Sequence, residues 1–322
     1  MAMTEPIIGM KPEFILGHEG AGEIVQLGSD VSEADFQVGE RIGIHIVPGC
    51  DASSCLQCNR GLHRLCRAEN SGNYGLGYDG TFAEYIGIQT RAAIKLPAGV
   101  DVVTAAVSGD AVLTAYQAVK YTAAVQPHQT IAIFGLGGLG LNALQIAQHL
   151  GVKRILVVDR RQESIDEAIK LGIPAEDAFC TSDPDVKKIE QVVAEQGILV
   201  DTTIDFAGAE ATILSTQLTV RPAGQMVIVG LLAKQAPLMP MAVVMKAITI
   251  KGSYSGTIES FHECLELMAK GVVKPTIETG SIEDLPKVLK DLDEGKIKSR
   301  MVLLPDWKRY TAPGRLFETS SL

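Results

Sequence analysis

The sequence predicts an α/β protein in which a doubly wound parallel sheet is joined to a smaller β-rich domain. Between residues 130 and 252, short apolar segments alternate with amphipathic stretches, which is typical of strands and helices in alternation. A glycine-rich motif directly follows the first of these segments. Before residue 97, apolar segments are short and broken by glycine, which is typical of a small β-barrel.

The composition is that of an ordinary globular protein. Its 322 residues are 46% hydrophobic and 21% charged, which allows a sizeable core and favours two domains over one. The formal net charge is -9 and basic residues do not cluster among aromatic ones, so we expect no nucleic-acid partner. No segment has the length of a membrane span and residues 1–11 lack a signal-peptide pattern, so we expect a cytosolic protein without a membrane partner.

The β-rich domain comes first along the chain. We predict strands within residues 22–28, 39–46 and 82–86, because each is a short apolar run with glycine at most of its ends. Residues 104–121 carry apolar side chains at helical spacing, which predicts one or two helices that lead out of this domain.

The parallel sheet follows this helical segment. Its strands are predicted at residues 131–134, 155–158, 203–206, 226–229 and 248–250. Further elements are predicted as a helix at 258–270, a strand near Thr276, a helix at 285–294 and a strand at 301–304. We expect residues 1–117 and 254–305 to form the first domain, residues 118–253 to form the second, and residues 306–322 to be a C-terminal extension.

Four cysteines lie close together in the sequence, with the spacing Cys50-x4-Cys55-x2-Cys58-x7-Cys66. Four thiolates bind Zn²⁺ tetrahedrally and leave no position open for water or substrate, so the pattern predicts a structural zinc site. A disulfide framework and four buried cysteines are the alternatives. Zinc is favoured because only Cys180 and Cys264 occur elsewhere and no secretory segment is evident.

The glycine-rich motif reads Gly135-Leu136-Gly137-Gly138-Leu139-Gly140 and opens a predicted helix. Glycines permit a tight turn and a close approach of pyrophosphate, while the helix N-terminus offers free N–H groups to the phosphates. A merely flexible loop is the alternative. We expect a dinucleotide to be bound by Gly135, Gly137, Gly138, Leu139 and Gly140.

An acidic residue, Asp159, ends the next predicted strand, 19 residues after Gly140. A carboxylate at this place accepts hydrogen bonds from the adenosine ribose and repels a 2′-phosphate, which favours NAD over NADP. Arg160 and Arg161 follow immediately and leave NADP open as the alternative.

Further motifs occur in order between residues 17 and 305. They are Gly17-His18-Glu19-Gly20-Ala21-Gly22, Val38-Gly39-Glu40-Arg41-Ile42, Gly80-Thr81-Phe82-Ala83-Glu84-Tyr85, Asp205-Phe206-Ala207-Gly208, Gly252-Ser253-Tyr254-Ser255-Gly256-Thr257 and Gly295-Lys296-Ile297-Lys298-Ser299-Arg300. With the cysteines and the glycine motif, this order resembles that of the zinc-containing medium-chain alcohol dehydrogenases. The resemblance implies a GroES-like barrel domain and a Rossmann domain with a cleft between them. It also implies transfer of a hydride between NAD and an alcohol, with secondary alcohols included, to give an aldehyde or ketone, in a homodimer or homotetramer.

The resemblance also identifies candidate catalytic residues. His18 matches the family's histidine ligand to a catalytic zinc, and Glu19 beside it matches an alternating ligand. Asp110 stands where many relatives place a cysteine ligand, and a carboxylate is an acceptable substitute. The alternatives are a structural histidine at position 18 and a helix N-cap at position 110. Arg300 resembles the arginine that reaches the cofactor pyrophosphate, with a surface arginine as its alternative.

Two features depart from the family pattern. The family supplies another cysteine ligand and a proton-relay hydroxyl well before the histidine, whereas the first cysteine here is Cys50. We therefore expect either a barrel shortened at its N-terminus or an altered ligand set of His18, Glu19, Asp110 and water. The gap between Cys50 and Cys55 is also longer than the family's usual two residues. Two further hypotheses stay open, namely a catalytically weak NAD(H)-binding protein and a zinc-free quinone or enoyl reductase.

Overall fold

The structure is a computed structural model that describes residues 13–306 of the chain. The strands of this part are β1 Ala21–Glu23, β2 Arg41–Ile44, β3 Ala93–Lys95, β4 Thr130–Phe134, β5 Arg154–Asp159, β6 Ala178–Cys180, β7 Val200–Asp205, β8 Val220–Ile228, β9 Thr249–Gly252, β10 Ile277–Ser281 and β11 Arg300–Leu304. The α-helices are α1 Val102–Ala106, α2 Leu113–Tyr116, α3 Gly140–His149, α4 Gln162–Lys170, α5 Ile189–Gln196, α6 Glu210–Thr219, α7 Pro240–Lys246, α8 Ile258–Ala269 and α9 Leu285–Asp293. None of these helices has both the length and the apolar character that a membrane span requires.

A six-stranded parallel sheet is the largest element, with the strand order β6-β5-β4-β7-β8-β9. This is the order of a doubly wound dinucleotide-binding sheet. Strands β5 and β6 are added on one side of β4, and β7, β8 and β9 are added on its other side. The predicted strands at 131–134, 155–158, 203–206, 226–229 and 248–250 all fall on members of this sheet. The prediction of a doubly wound α/β fold is therefore confirmed, and the sequence missed only β6 at its edge.

Both faces of this sheet are covered, which explains why β4 and β5 are largely apolar. Along β4, Ile131 and Ile133 join the larger core with α3 and α8, whereas Ala132 and Phe134 join a second core with α5. Alternate side chains of a strand point to opposite faces, so a strand with helices on both sides has no polar face. β4 and β7 end together, since Phe134 pairs with Asp205, and a ligand site is expected where these two strands diverge.

The β-rich domain contains a three-stranded antiparallel sheet with the order β1-β2-β3. The strand predicted at 22–28 is shorter than expected, because β1 ends at Glu23. The strand predicted at 82–86 is wrong. Thr81 and Phe82 donate backbone hydrogen bonds to Gly17 and Leu16, but these bonds do not extend into a ladder, and the apolar residues that follow line a cavity.

A helical segment connects the two regions, as predicted. α1 is followed by wide helical turns at Ser108–Val112 and Gln117–Thr122, with α2 between them. After the sheet, α8 packs against α2, and β10 pairs in parallel with β11. The predicted helices 258–270 and 285–294 and the strand 301–304 are present as α8, α9 and β11. The predicted extension 306–322 lies outside the described residues except for Asp306.

Candidate active site

Three side chains from two distant parts of the sequence, His18 with Glu19 and Asp110, meet beside the β-rich region. His18 Nε2 lies 3.2 Å from Asp110 Oδ2. One ligand atom from each of His18, Glu19 and Asp110 lies within 4.8 Å of the other two. The structure therefore brings together the three candidate catalytic residues that the sequence identified.

The position of His18 depends on close backbone contacts around Gly17. Gly17 has a φ of 98°, and a Cβ added there would lie 2.6 Å from the backbone nitrogen of Phe82. A residue with a side chain is thus excluded both by backbone conformation and by space. Thr81 holds Glu19 in place, because its hydroxyl donates a hydrogen bond of 2.6 Å to the Glu19 backbone oxygen.

Asp110 lies within the helical turn Ser108–Val112, so the alternative of an N-cap does not hold. The turn has Val107 at its N-cap position, and α2 has Val112 there. Asp110 Oδ1 instead accepts a hydrogen bond of 2.6 Å from the Thr114 hydroxyl. The same turn holds Glu19, whose Oε1 accepts a 2.9 Å hydrogen bond from the Ala111 backbone nitrogen.

The three side chains are strongly coupled by charge. Burial would by itself raise the pKa of Asp110, but the hydrogen bond and the charge of His18 hold this pKa at about 2. Burial would lower the pKa of His18, yet its hydrogen bond with Asp110 raises that pKa above the ordinary value. For Glu19 burial dominates and raises the pKa, and the opposing charge of Arg300 offsets only part of this. A cation that binds these donors therefore competes with a proton for the ring nitrogen of His18.

This donor set fits a zinc ion. One imidazole nitrogen and two carboxylate oxygens are acceptable zinc ligands, and a site with three protein ligands leaves a fourth position open. His18 is 42% exposed, which leaves its ring accessible from the cavity. The chemistry of these donors therefore suits a catalytic rather than a closed structural site.

The four clustered cysteines form a second candidate metal centre. Their sulfur atoms all lie within 4.8 Å of one another, with Cys50 Sγ 3.7 Å from Cys58 Sγ and Cys55 Sγ 3.8 Å from Cys66 Sγ. None of the four is in a disulfide. The longer gap after Cys50 is accommodated by a turn in which Cys55 N donates to Ala52 O, so Cys50 reaches the other sulfurs. Four converging thiols fit a tetrahedral zinc ion with no open position.

The glycine-rich loop lies between β4 and α3, as predicted. A Cβ added at Gly140 would lie 1.8 Å from the backbone oxygen of Gly135, whereas one added at Gly137 would meet nothing within 4 Å. The loop therefore packs tightly on itself while one side of it stays open. Asp159 is buried at the end of β5, and its Oδ2 accepts a 2.6 Å hydrogen bond from the Leu136 backbone nitrogen.

A cavity of about 1650 Å³ opens beside His18 and Asp110. Phe82, Tyr85 and Val103 are among its apolar lining residues, and Arg300 contributes a positive charge. The Arg300 side chain also reaches the glycine-rich loop, because a Cβ added at Gly138 would lie 3.0 Å from Arg300 Nε. The candidate metal site, the apolar cavity and the candidate dinucleotide loop are thus contiguous.

Comparison with known proteins identifies the family. Residues 2–98 match the alcohol dehydrogenase GroES-like domain, and residues 138–270 match the zinc-binding dehydrogenase domain. An alcohol dehydrogenase of Geobacillus stearothermophilus is 32% identical over 297 residues, which cover 91% of this chain and 84% of that protein. The chain belongs to the zinc-containing medium-chain alcohol dehydrogenase family. Alcohol dehydrogenase 1 of Emericella nidulans is 34% identical over 299 residues, covering 92% of this chain and 83% of the relative.

Solved structures agree with this assignment. Acetophenone reductase from Geotrichum candidum in complex with NAD superposes with a TM-score of 0.80 at 33% identity, over 91% of this chain and 82% of that one. The predicted GroES-like plus Rossmann fold is therefore confirmed. The prediction of NAD and zinc as cofactors is supported by the zinc-binding dehydrogenase family, by the NAD complex of this neighbour and by the four-cysteine cluster.

Several site residues of this medium-chain dehydrogenase were not predicted. Thr114 lies four residues after Asp110, a spacing that places two side chains on one face of a helix, so the helical prediction for 104–121 contained this signal. The contact between Arg300 and Glu19 joins residues that are 281 positions apart, and no local pattern predicts it. The ligand and cofactor roles of the predicted residues remain predictions, which are developed below.

Proposed function

We propose that this chain is an NAD-dependent alcohol dehydrogenase whose catalytic zinc is held by His18, Glu19 and Asp110. The convergence of these three side chains carries the proposal, because they line an apolar cavity and Arg300 joins them to the glycine-rich loop. In the proposal, a structural zinc is held by Cys50, Cys55, Cys58 and Cys66. The dinucleotide is bound by Gly135, Gly137, Gly138, Leu139, Gly140, Asp159 and Arg300.

The residues of the site have separate roles in the proposed hydride transfer. A zinc ion held there supplies positive charge that stabilises the oxygen of an alcohol as it loses its proton, and bound NAD supplies the carbon that accepts the hydride. Thr114 and the Ala111 backbone nitrogen fix the orientation of Asp110 and Glu19. The apolar walls of the cavity bind the carbon skeleton of the substrate and keep water away from the reacting carbon.

Secondary alcohols are the substrate class that we propose. The cavity that opens beside His18 has a volume of about 1650 Å³ and is lined mainly by apolar residues, which suits a carbinol carbon with two carbon substituents. The neighbour named acetophenone reductase is 33% identical, and acetophenone is an aryl ketone whose reduction gives a secondary alcohol. Secondary alcohols should therefore be oxidised faster than primary alcohols with the same number of carbon atoms.

Metal content and turnover test the proposal together. We expect one zinc ion at each of the two sites and formation of NADH from secondary alcohols. His18→Ala and Asp110→Asn should each lower kcat by at least about 100-fold, which corresponds to about 3 kcal/mol of barrier. The exposed His128 and Asp185 supply the matched controls His128→Ala and Asp185→Asn, which should leave kcat unchanged. Bound NADH without turnover would indicate a catalytically silent binding protein, and turnover without zinc would indicate a quinone or enoyl reductase.

We also propose a homodimer or homotetramer built across the free edge of the parallel sheet. β9 ends the sheet order, and among residues 13–306 it pairs only with β8. The neighbouring helix α7 exposes Met241, Val244 and Met245, which are each more than 70% accessible. An unpaired edge beside an apolar patch suits a two-fold contact with a second copy of the chain.

The domain boundaries and the location remain part of the proposal. Residues 1–117 with 254–305 would form the catalytic domain, and residues 118–253 the NAD-binding domain. The packing of α8 against α2 supports the return of the chain to the first domain.

A four-thiolate zinc site requires reduced cysteines, which supports a cytosolic location.

A further inference from the structure

Helix α7 lies on the surface and has no buried residue of its own, so packing alone does not hold it in place. Its seven residues are also fewer than the roughly 12 that an isolated helix needs in water. The side chains of Met241, Val244 and Met245 are apolar and exposed. Other interactions must therefore fix the position of α7 beside the sheet.

Lys246, the last residue of α7, binds the C-terminal end of α6. Its Nζ donates hydrogen bonds to the backbone oxygens of Leu218 at 2.7 Å, Val220 at 2.9 Å and Gln217 at 3.2 Å. The last carbonyls of a helix have no partner within that helix, and a cation beside them is favourable. The three N–H groups of the ammonium are thus matched by three acceptors at the end of α6.

The other end of α7 is held by the side chain of Gln217, which is fully buried. Its Oε1 accepts a 2.8 Å hydrogen bond from the backbone nitrogen of Met239, the N-cap residue of α7. Its Nε2 donates to the backbone oxygens of Ile213 at 2.8 Å and Pro237 at 3.0 Å. A buried amide whose hydrogen bonds are made rigidifies its surroundings. Two polar contacts with the end of α6 therefore fix α7 at both of its ends.

The direction of Lys246 also determines the charge of the exposed side of α7. Successive residues of a helix are turned by about 100°, so Lys246 points away from the side shared by Met241, Val244 and Met245. Lys246 is the only charged residue of α7, so that side carries no charge. In a two-fold contact a surface meets its own copy, and like charges would face each other. An uncharged apolar side on a chain of net charge -9 suits a second copy of this chain.

We propose that Lys246 and Gln217 hold α7 in the position at which a second copy of the chain binds, so that subunit association depends on both residues. The inference rests on the proposed homodimer or homotetramer, but it is independent of the catalytic activity. A surface that is already ordered loses less conformational entropy on association. Without either set of hydrogen bonds, α7 would be ordered only when the subunits meet, and association would be weaker.

Sedimentation equilibrium of the full chain tests the role of Lys246. Lys246→Met keeps an unbranched side chain but removes the three donors, and it should raise the dissociation constant of the subunits by about 10-fold or more. Lys246→Arg keeps a charged donor and should stay within about 3-fold of the wild type. The exposed Lys153 supplies the control Lys153→Met, which should associate normally. An unchanged dissociation constant in Lys246→Met, or an equal loss in Lys246→Arg, would overturn the proposal.

Hydrogen exchange distinguishes a change in the position of α7 from a loss of folding. Met245→Glu places a charge on the exposed side of α7, so this variant should show the helix without a partner subunit. Adding Lys246→Met or Gln217→Met should speed the exchange of the amides of residues 244–246 by about 10-fold or more. The amides of β4 should keep their protection, because the central sheet does not depend on α7. Unchanged exchange in α7 would contradict the proposal.

These measurements fail separately from the proposed catalytic function. Turnover of alcohols by a chain that associates equally well without Lys246 would contradict this inference alone. Association that depends on Lys246, without turnover of any alcohol, would contradict the catalytic function alone. A monomeric wild type would overturn this inference together with the proposed interface, and it would leave hydride transfer unaffected.

Discussion

At the scale of single residues, the glycines of the dinucleotide loop have different surroundings and so predict different mutant phenotypes. Gly137 faces open space, and its φ lies outside the positive range that favours glycine, so Gly137→Ala should fold normally. Its new methyl group would occupy the open side of the loop, where we propose that the pyrophosphate binds. We expect NAD affinity to fall by about 10-fold or more, which is about 1.4 kcal/mol, with an unchanged melting temperature. Isothermal titration calorimetry and thermal unfolding measure the two quantities.

Gly140→Ala is the matched comparison in the same loop. Its Cβ would lie 1.8 Å from the Gly135 backbone oxygen, so the loop itself would have to move. We expect this variant to lose about 1–3 kcal/mol of folding stability, as for other overpacked sites. If Gly137→Ala left NAD affinity unchanged while folding normally, the open side of the loop would not be where the pyrophosphate binds.

Site residues were predictable from the sequence where a short motif carried them. His18, Glu19 and the glycine loop lie in contiguous motifs, and Asp110 is found through its place in a motif order. Arg300 was predicted only as a cofactor ligand. Its ion pair with Glu19 depends on how β11 pairs with β10 and returns to the cavity, which is a tertiary arrangement with no local signature.

At the scale of elements, the cysteine lobe folds around its sulfur cluster rather than around regular structure. Between residues 50 and 66 the regular structure is limited to two short 3₁₀ helices, Cys58–Arg60 and His63–Leu65, so a metal would replace a hydrophobic core. Cys50→Ser should therefore remove one zinc ion per chain and lower the melting temperature by about 5 °C or more. Metal analysis by mass spectrometry and thermal unfolding provide the readouts.

Cys180→Ser is the control for this prediction. Cys180 is also buried, but its sulfur lies 3.4 Å from the Ser182 hydroxyl and far from the cluster in sequence, so a serine there keeps a polar partner. It should retain the full zinc content. Equal zinc contents in Cys50→Ser and the wild type would show that Cys50 is not a ligand and that the longer gap before Cys55 matters.

The edge strand β9 and the helix α7 beside it give a second prediction at the scale of elements. Met245 on α7 is 79% exposed, so Met245→Glu should leave the folded subunit intact while placing a charge in the proposed interface. We expect the oligomer to shift toward monomer in analytical ultracentrifugation. Leu199→Glu, at an equally apolar residue that is 66% exposed between α5 and β7, should not dissociate it. A monomeric wild type would rule out the proposed interface.

Strands with a long apolar pattern were predicted from the sequence, whereas some of the very short strands were missed. The central strands of the parallel sheet were all predicted, and β4 and β5 among them are apolar on both faces. β3 and β6 span three residues each and were missed, because so short a run has no distinguishable period. The segment 82–86 has the composition of a strand, yet it lines the cavity and does not pair with another strand. The tertiary structure decides between these two outcomes, so the local sequence could not predict it.

At the scale of the whole molecule, His45 joins the β-rich region to the segment that returns after the parallel sheet. It follows β2, is 1% exposed, and its Nε2 lies 3.2 Å from the backbone oxygen of Gly256. Its ring centre lies 5.9 Å from that of Phe261 on α8, and its Nδ1 has no hydrogen-bond partner among residues 13–306. Burial lowers the pKa of His45 to about 4. Two nearby charges have smaller effects, since Glu259 raises this pKa and His63 lowers it.

This buried histidine predicts how the stability of the whole chain depends on pH. The unfolded histidine has its ordinary pKa of about 6.5, so between about pH 6.5 and 4 the unfolded chain binds a proton that the folded chain does not. Stability should therefore fall as the pH is lowered through this range and level off below it. Relative to His45→Gln, which does not titrate, the wild type should lose about 3 kcal/mol of unfolding free energy between pH 7 and pH 4. Zinc loss at low pH affects both proteins alike, so the difference isolates the histidine. Urea denaturation at several pH values measures it, and a difference that is constant with pH would mean that His45 has the same pKa in the folded and unfolded chains.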